Sequence, residues 1–304
     1  MSAEELIKNL VSKNLGTFVE VISPVGKGAS GSVYCVKCSG EPKTIAVKIS
    51  NHSELMRQEY EMLCFLKEKT RSKIPQVYFF DETDSVGIIA MEFVNGISGA
   101  DKSIEYSPQK RQLAESIVDN LLVIQQAHND KFGPYNNATY NTWEEYYKEF
   151  VDSIYDFSVS MYTSGKLDNI VMQAVELSYA KFNIIFSEKV LMPTLIHGDY
   201  WMPNFIVDKK SMDLLAVVDP FNVMWADPEY ELFALKAGLG EKLHLYELYK
   251  SKVNVSKYCD VKLAMYALYS ELLWYKKLSD ISHKYLETLS KRLLREMKRN
   301  GIIK

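Results

Sequence analysis

The sequence predicts an α+β protein of two lobes: a small antiparallel-sheet lobe over residues 1–94 and a larger, mainly helical lobe over residues 95–304. Three observations predict it. Up to Val94, short runs of β-branched and aromatic residues recur between turn signals, interrupted by a single amphipathic helical stretch. Beyond Gly96 the apolar spacing turns helical, near 108–128, 142–162, 168–187, 228–236, 243–251, 257–277 and 279–299. A chain of 304 residues exceeds the usual single-domain size and can bury a core in each lobe.

Taken in order, a short helix is predicted around Glu4 to Lys13. Val25 to Val33 then carries Gly26, Gly28 and Gly31 in a G-x-G-x-x-G pattern. A dinucleotide-binding loop leads from strand to helix, whereas Ser32 to Cys38 alternates as a strand. The glycines are therefore expected in a hairpin turn, where Gly28, Ser30 and Gly31 let backbone amides approach phosphate oxygens. A hairpin with no ligand is the alternative reading. The strand Thr44 to Ile49 places Lys48 in an apolar run, and a cation there needs an anionic partner. On the following helix, capped by Ser53, the residues Leu55, Met62, Leu63 and Leu66 define an apolar face with Glu59 in its middle. A Lys48–Glu59 ion pair explains both anomalies; a solvated Glu59 at a helix boundary is the alternative.

The densest chemical signal lies in the short strand group around 194–218. His197-Gly198-Asp199 is followed by Asn204 and, at the end of the run Leu-Leu-Ala-Val-Val, by Asp219. Phosphoryl transfer needs positioned reactants and screened charge rather than covalent help from the protein. Asp199 suits a base for an acceptor hydroxyl, and Asn204 with Asp219 supply hard oxygen ligands to magnesium on nucleotide phosphates. Taken singly, each is equally a turn aspartate or a capping asparagine; the spacing is what joins them. His197 is expected to anchor its loop and His128 to pack at a helix end.

These residues resemble the aminoglycoside phosphotransferase family of small-molecule kinases, related to fructosamine and choline kinases and sharing the protein-kinase-like fold. The resemblance rests on Gly26, Gly28 and Gly31, Val47-Lys48, Glu59, Met91 to Val94, His197 to Asn204, Asp219, Gln126-Ala127-His128 and Ala226-Asp227-Pro228. Ala226 stands where the family has glycine, and Glu231 where aspartate is common. The resemblance implies ATP or GTP as donor, Lys48 holding phosphate, and an adenine-binding hinge at Met91, Glu92 and Val94. It also implies a nucleotide cleft between the lobes. Only seven residues separate Asp219 from Asp227, too few for a peptide-holding activation segment, so the acceptor is expected to be a small molecule. The leading expectation is an aminoglycoside or similar antibiotic. A metabolic kinase for a ketosamine, sugar or amino alcohol is the second, since Trp201 follows the His-Gly-Asp stretch as in fructosamine-kinase-like proteins. A nucleotide-binding pseudokinase is the third, and the retained Lys48, Asp199, Asn204 and Asp219 speak against it.

For the acceptor pocket, Trp201, Asp227, Glu229 and Glu231 are the candidates, with Trp225 beside them. Core packing is the competing reading for the tryptophans, and helix capping for the glutamates. A stripe of Glu145, Glu149, Asp152 and Asp156 opposite Trp143, Phe150, Ile154 and Met161 is either an acidic wall for a polycation or a solvated helix face.

Composition is compatible with this chemistry. With 36 basic and 39 acidic residues the net charge is −3, which offers no basic excess for nucleic acid or an anionic membrane. Four cysteines in a chain this long make no disulfide scaffold, and Cys35-x-x-Cys38 lacks a second ligand pair for zinc. No secretory signal or membrane span is apparent, so a cytoplasmic location is expected.

Overall fold

The computed structural model describes residues 2–28, 31–83, 86–278 and 282–304. They form two compact units, one of residues 1–124 and 201–221, the other of 125–200 and 222–304. This grouping differs from the expected division after Val94 because the Ile97–Ser98 strand pairs with Phe205–Val207, drawing 201–221 into the first unit.

In the first unit, helix α1 (Ala3–Leu15) opens on a capping box, Ser2 and Glu5 each accepting the other's backbone N–H. An antiparallel sheet follows, with strands β1 (Val19–Gly28), β2 (Gly31–Cys38), β3 (Thr44–Ser50), β4 (Val77–Thr83) and β5 (Val86–Glu92) in the order β1-β2-β3-β5-β4. The central strand β3 alternates. Ile45 and Val47 pack with Leu6, Ile7, Leu10 and Val11 of α1, while Lys48 points to the other face, toward helix α2 (Ser53–Lys69).

Two details of α2 differ from expectation. Ser53 is its first helical residue rather than its cap; His52 holds that position and makes no side-chain capping bond. The buried stripe is Met56, Glu59, Met62, Leu63 and Leu66, whereas Leu55 is exposed. Leu55 shares the stripe's side of the helix with Met62 and Leu66 but sits in the first turn, where it stays exposed. Helix α3 (Lys110–Ile124) completes the unit, and the Asn120 side chain accepts the Lys73 N–H at 2.8 Å.

In the second unit the helices Trp143–Thr163, Asn169–Ala180, Leu245–Lys252, Cys259–Leu278 and His283–Arg299 surround a three-stranded sheet of Gly133–Pro134, Met224–Ala226 and Thr194–Ile196. Trp143, Tyr147, Val151 and Ile154 form the buried face of the first of these helices; Phe150 and Met161 are half-buried, displaced by Tyr147 and Val151. Tyr147 stacks on Trp143 at 5.4 Å and meets Tyr266 edge-on at 5.0 Å, so much of the aromatic content is core. The expected strand group around 194–218 is thus divided between two sheets, one in each unit. No helix among the described residues is long and apolar enough to cross a membrane.

Candidate active site

Lys48 is almost fully buried at the middle of β3, opposite Val33 on one side and Ile89 on the other. Its ammonium donates to both carboxylate oxygens of Glu59, at 2.8 and 2.7 Å, and to Asp219 Oδ1 at 2.9 Å. Burial works against the ammonium, but the two carboxylates outweigh it and hold Lys48 above its ordinary range. The expected Lys48–Glu59 pair is present, and Asp219 joins it as a third member.

Asp219 lies two residues past the strand Leu214–Val217 with φ 55, a left-handed conformation that aspartate tolerates better than most side chains. Its carboxylate is 45% exposed, so it is held by Lys48 on one side and open on the other. Asn204 ends a short 3₁₀ turn, Met202–Asn204, and its carbonyl accepts the Val218 N–H at 3.0 Å. That bond fixes Asn204 beside the residue preceding Asp219. The pair fits magnesium in its chemistry: two hard oxygen donors, one anionic and half-open, leaving most of an octahedral shell to phosphate and water. Among the described residues no group of three His, Cys, Asp or Glu side chains is placed to hold a metal ion.

At the hairpin, Gly28 pairs with Gly31, while Ser30 lies outside the described residues. A Cβ on Gly31 would overlap the Ile49 carbonyl of β3, so packing alone accounts for this glycine. Met91 is buried on β5 opposite Ala46, on the Lys48 face of the sheet. The Glu92 N–H is already given to Gln76 O at 2.8 Å. Val94, the third residue expected at the hinge, is half-buried two residues past the end of β5.

In the second unit, His197 and Gly198 follow the strand Thr194–Ile196, and Gly198 has φ 82, which explains a glycine before Asp199. Asp199 is half-buried. His197 is fully buried with its ring 5.9 Å from that of Tyr200, as befits an anchor. His128 forms an isolated bridge with Thr194.

The loop has one further support. Glu231 Oε2 accepts the backbone N–H groups of both His197 and Gly198 at 3.1 Å. Glu231 is 1% exposed, its Oε1 has no hydrogen-bond partner, and burial pushes its carboxyl up to about 8. Asp227 and Glu229 are also buried, and Lys262, itself buried, bonds both carboxylates. A cavity of about 290 Å³ borders these two acids, Lys262 and Tyr249.

Asp227, Glu229 and Glu231, the acids expected near the acceptor, all bond partners inside the unit. Three of the four acids of the stripe on the Trp143–Thr163 helix also have partners. Glu145 belongs to a capping box, Glu149 accepts from Tyr140 at 2.7 Å, and Asp152 is bonded to Lys148 and Tyr179. Trp225 packs with its indole N–H on the Tyr135 carbonyl, whereas Trp201, in the first unit, is 40% exposed. Lys262 escaped the sequence reading, although a lone lysine in the apolar run Val261 to Leu268 is the same signal that exposed Lys48.

The model of the family described as fructosamine kinase matches residues 3–298. The uncharacterized protein YcbJ of Escherichia coli K12 is 24% identical over 307 residues, covering 95% of this chain and 98% of that one. A Thermobifida fusca structure assigned as a fructosamine-3-kinase superposes with TM-score 0.71 at 19% identity, covering 95% of this chain and 98% of that one. Aminoglycoside phosphotransferase APH(4)-Ia also superposes, with TM-score 0.71 at 17% identity over 99% of both chains. A thermostable mutant of that enzyme, solved with AMP-PNP and hygromycin B, gives 0.70 at 16%, covering 97% of this chain and 98% of that one.

Proposed function

Because the chain belongs to the fructosamine kinase family, and so is a small-molecule kinase of that general type, we propose that it transfers the γ-phosphate of ATP to a hydroxyl of a ketosamine or related amino sugar. The observation that carries the nucleotide half of this reading is Lys48, buried and bonded to Glu59 and Asp219 at once. An ammonium fixed in this way offers positive charge to a phosphate at a defined point without a search through rotamers. Magnesium, when bound, supplies the charge screening that phosphoryl transfer needs, and Asn204 and Asp219 would hold it.

Asp199 orients the acceptor hydroxyl and takes its proton. The hydroxyl oxygen forms the new bond to the γ-phosphorus, the bond from that phosphorus to the bridging oxygen breaks, and ADP carries away the electron pair. Glu231 keeps the loop before Asp199 in place by occupying two of its amides. Val94 offers its backbone to the edge of the base. Trp201 gives an exposed ring for the acceptor.

The sequence alone put an aminoglycoside first. The family match and the internal use of the acidic groups expected to face a polycation favour the ketosamine class over it. The test is phosphate transfer from labelled ATP and GTP to a panel of ketosamines, aminoglycosides, sugars and amino alcohols. Transfer to ketosamines is the expected result. Transfer to aminoglycosides alone would reverse the acceptor assignment, and binding of nucleotide with no transfer to any of them would favour a pseudokinase.

A further inference from the structure

The three-charge cluster of the second unit has no role in the chemistry above, yet its residues lead directly to the loop that carries Asp199. Lys262, on the helix Cys259–Leu278, is 2% exposed and bonds Asp227 Oδ2 and, at 2.7 Å, Glu229 Oε2. Further hydrogen bonds tighten the same cluster. Tyr266 donates to Asp227 at 2.9 Å and is itself held by the Trp143 indole at 2.9 Å; Ser256 donates its hydroxyl to Glu229 at 2.7 Å; and the Glu229 N–H returns to Asp227 Oδ1 at 2.9 Å. Asp227 and Glu229 are thereby fixed in direction as well as in place.

The segment they fix is short. Tyr230 N–H bonds the Asp227 carbonyl at 2.9 Å and Leu232 N–H the Glu229 carbonyl at 3.1 Å, so Asp227 to Leu232 is a pair of overlapping turns. Glu231 rides on those turns and reaches back to the His197 and Gly198 amides. Upstream, Met224 and Ala226 pair with Ile196 and Thr194, the strand that ends just before His197. The loop is therefore held at its entry by strand pairing and at its amides by Glu231, and both holds belong to the stretch that Lys262 clamps.

A buried ion cluster is a poor device for stability alone, because apolar residues of similar volume often serve as well or better. What ionic contacts add is direction. We propose that Lys262 is a positioning residue for the His197–Asp199 loop, acting through Asp227, Glu229 and Glu231. The consequence for turnover rests on the reading of Asp199 as base; the consequence for loop order does not.

The experiment uses the full chain as Lys262→Met, Lys262→Arg and the neutral triple variant Lys262→Met/Asp227→Asn/Glu229→Gln. Amide hydrogen exchange at His197 and Gly198 is followed beside that of helix α3, with kcat and nucleotide KM measured in parallel. The expected result for Lys262→Met is exchange at those two amides faster by about tenfold or more with α3 unchanged, local opening being separable from global unfolding. With it, kcat falls and nucleotide KM stays within about twofold, the pattern of a lost transition-state interaction. Lys262→Arg, which keeps charge and donors, restores most of both. Should Lys262→Met not fold, the neutral triple variant, which leaves no unpaired buried charge, carries the same readouts. A folded charge-removing variant with wild-type exchange at His197 and Gly198 overturns the proposal, as does protection lost equally from α3. If the wild-type chain transfers phosphate to nothing, the proposed function fails while the exchange result still decides this inference.

Discussion

Replacing Glu231 by glutamine should remove a pH-dependence of stability that the wild-type chain carries. Both loop amides bond one oxygen, Oε2, while the buried Oε1 has no hydrogen-bond partner, so little but the two amides would hold a negative charge on this carboxyl. Burial is the dominant cause of the upward shift to about 8 from an ordinary 4.5; the two amides pull the other way and Asp199 adds to the rise. The gap is about three and a half units, worth at most about 5 kcal/mol at ~1.4 kcal/mol per unit. The folded state binds this proton more tightly than the unfolded one, so Glu231 costs nothing below pH 4.5, and stability is lost progressively as pH rises through 8. Glutamine keeps an acceptor for the amides and does not titrate. Urea denaturation of both proteins at half-unit steps from pH 4 to 9 should show the wild type losing ground to Glu231→Gln by several kcal/mol, with the steepest change between pH 5 and 8. A difference that stays flat across that range, or in which the wild type gains with pH, would refute the neutral-carboxyl reasoning.

The remaining predictions concern the first unit and the proposed base. Lys48→Met should cost about 3–5 kcal/mol, because it leaves the buried Glu59 carboxylate without its cation, while Lys48→Met/Glu59→Leu should recover most of that loss; chemical denaturation measures both. Gly31→Ala, whose new methyl meets the Ile49 backbone, should lose about 1–3 kcal/mol in the same assay, and an unchanged midpoint would contradict the close approach. Asp199→Ala should lower kcat by about a hundredfold or more while calorimetric ATP affinity holds, whereas equal loss of both would mark Asp199 as structural. Asp219→Ala should remove the magnesium-dependence of nucleotide binding, and wild-type turnover in that variant would exclude its role as ligand.

The sequence disclosed residues whose chemistry conflicts with their local pattern. Lys48 stood in an apolar strand and Glu59 on an apolar stripe, and burial without a partner is costly enough that one contact between them was the economical reading. The glycine pattern, by contrast, was read toward phosphate, although the overlap of a Cβ at Gly31 with Ile49 accounts for that residue through packing on β3. Local sequence cannot separate the two causes, because the clash comes from a strand 18 residues away.

Long-range partnership explains what else was missed. Asp227, Glu229 and Glu231 were read as acceptor candidates because they come close after the metal-binding segment, with helix capping as the alternative for the glutamates. Their partners are Lys262, Ser256 and the amides of 197 and 198, separated from them by about thirty residues in either direction. The same rule that found Lys48 applies to Lys262, since Val261 to Leu268 is an apolar run with one lysine, and it would have required a buried anion without saying which. Three acids fall within the five residues from 227 to 231. Pairing unexplained buried cations with unexplained acid clusters, rather than assigning each to a ligand in turn, would have pointed to an internal cation for Asp227 and Glu229.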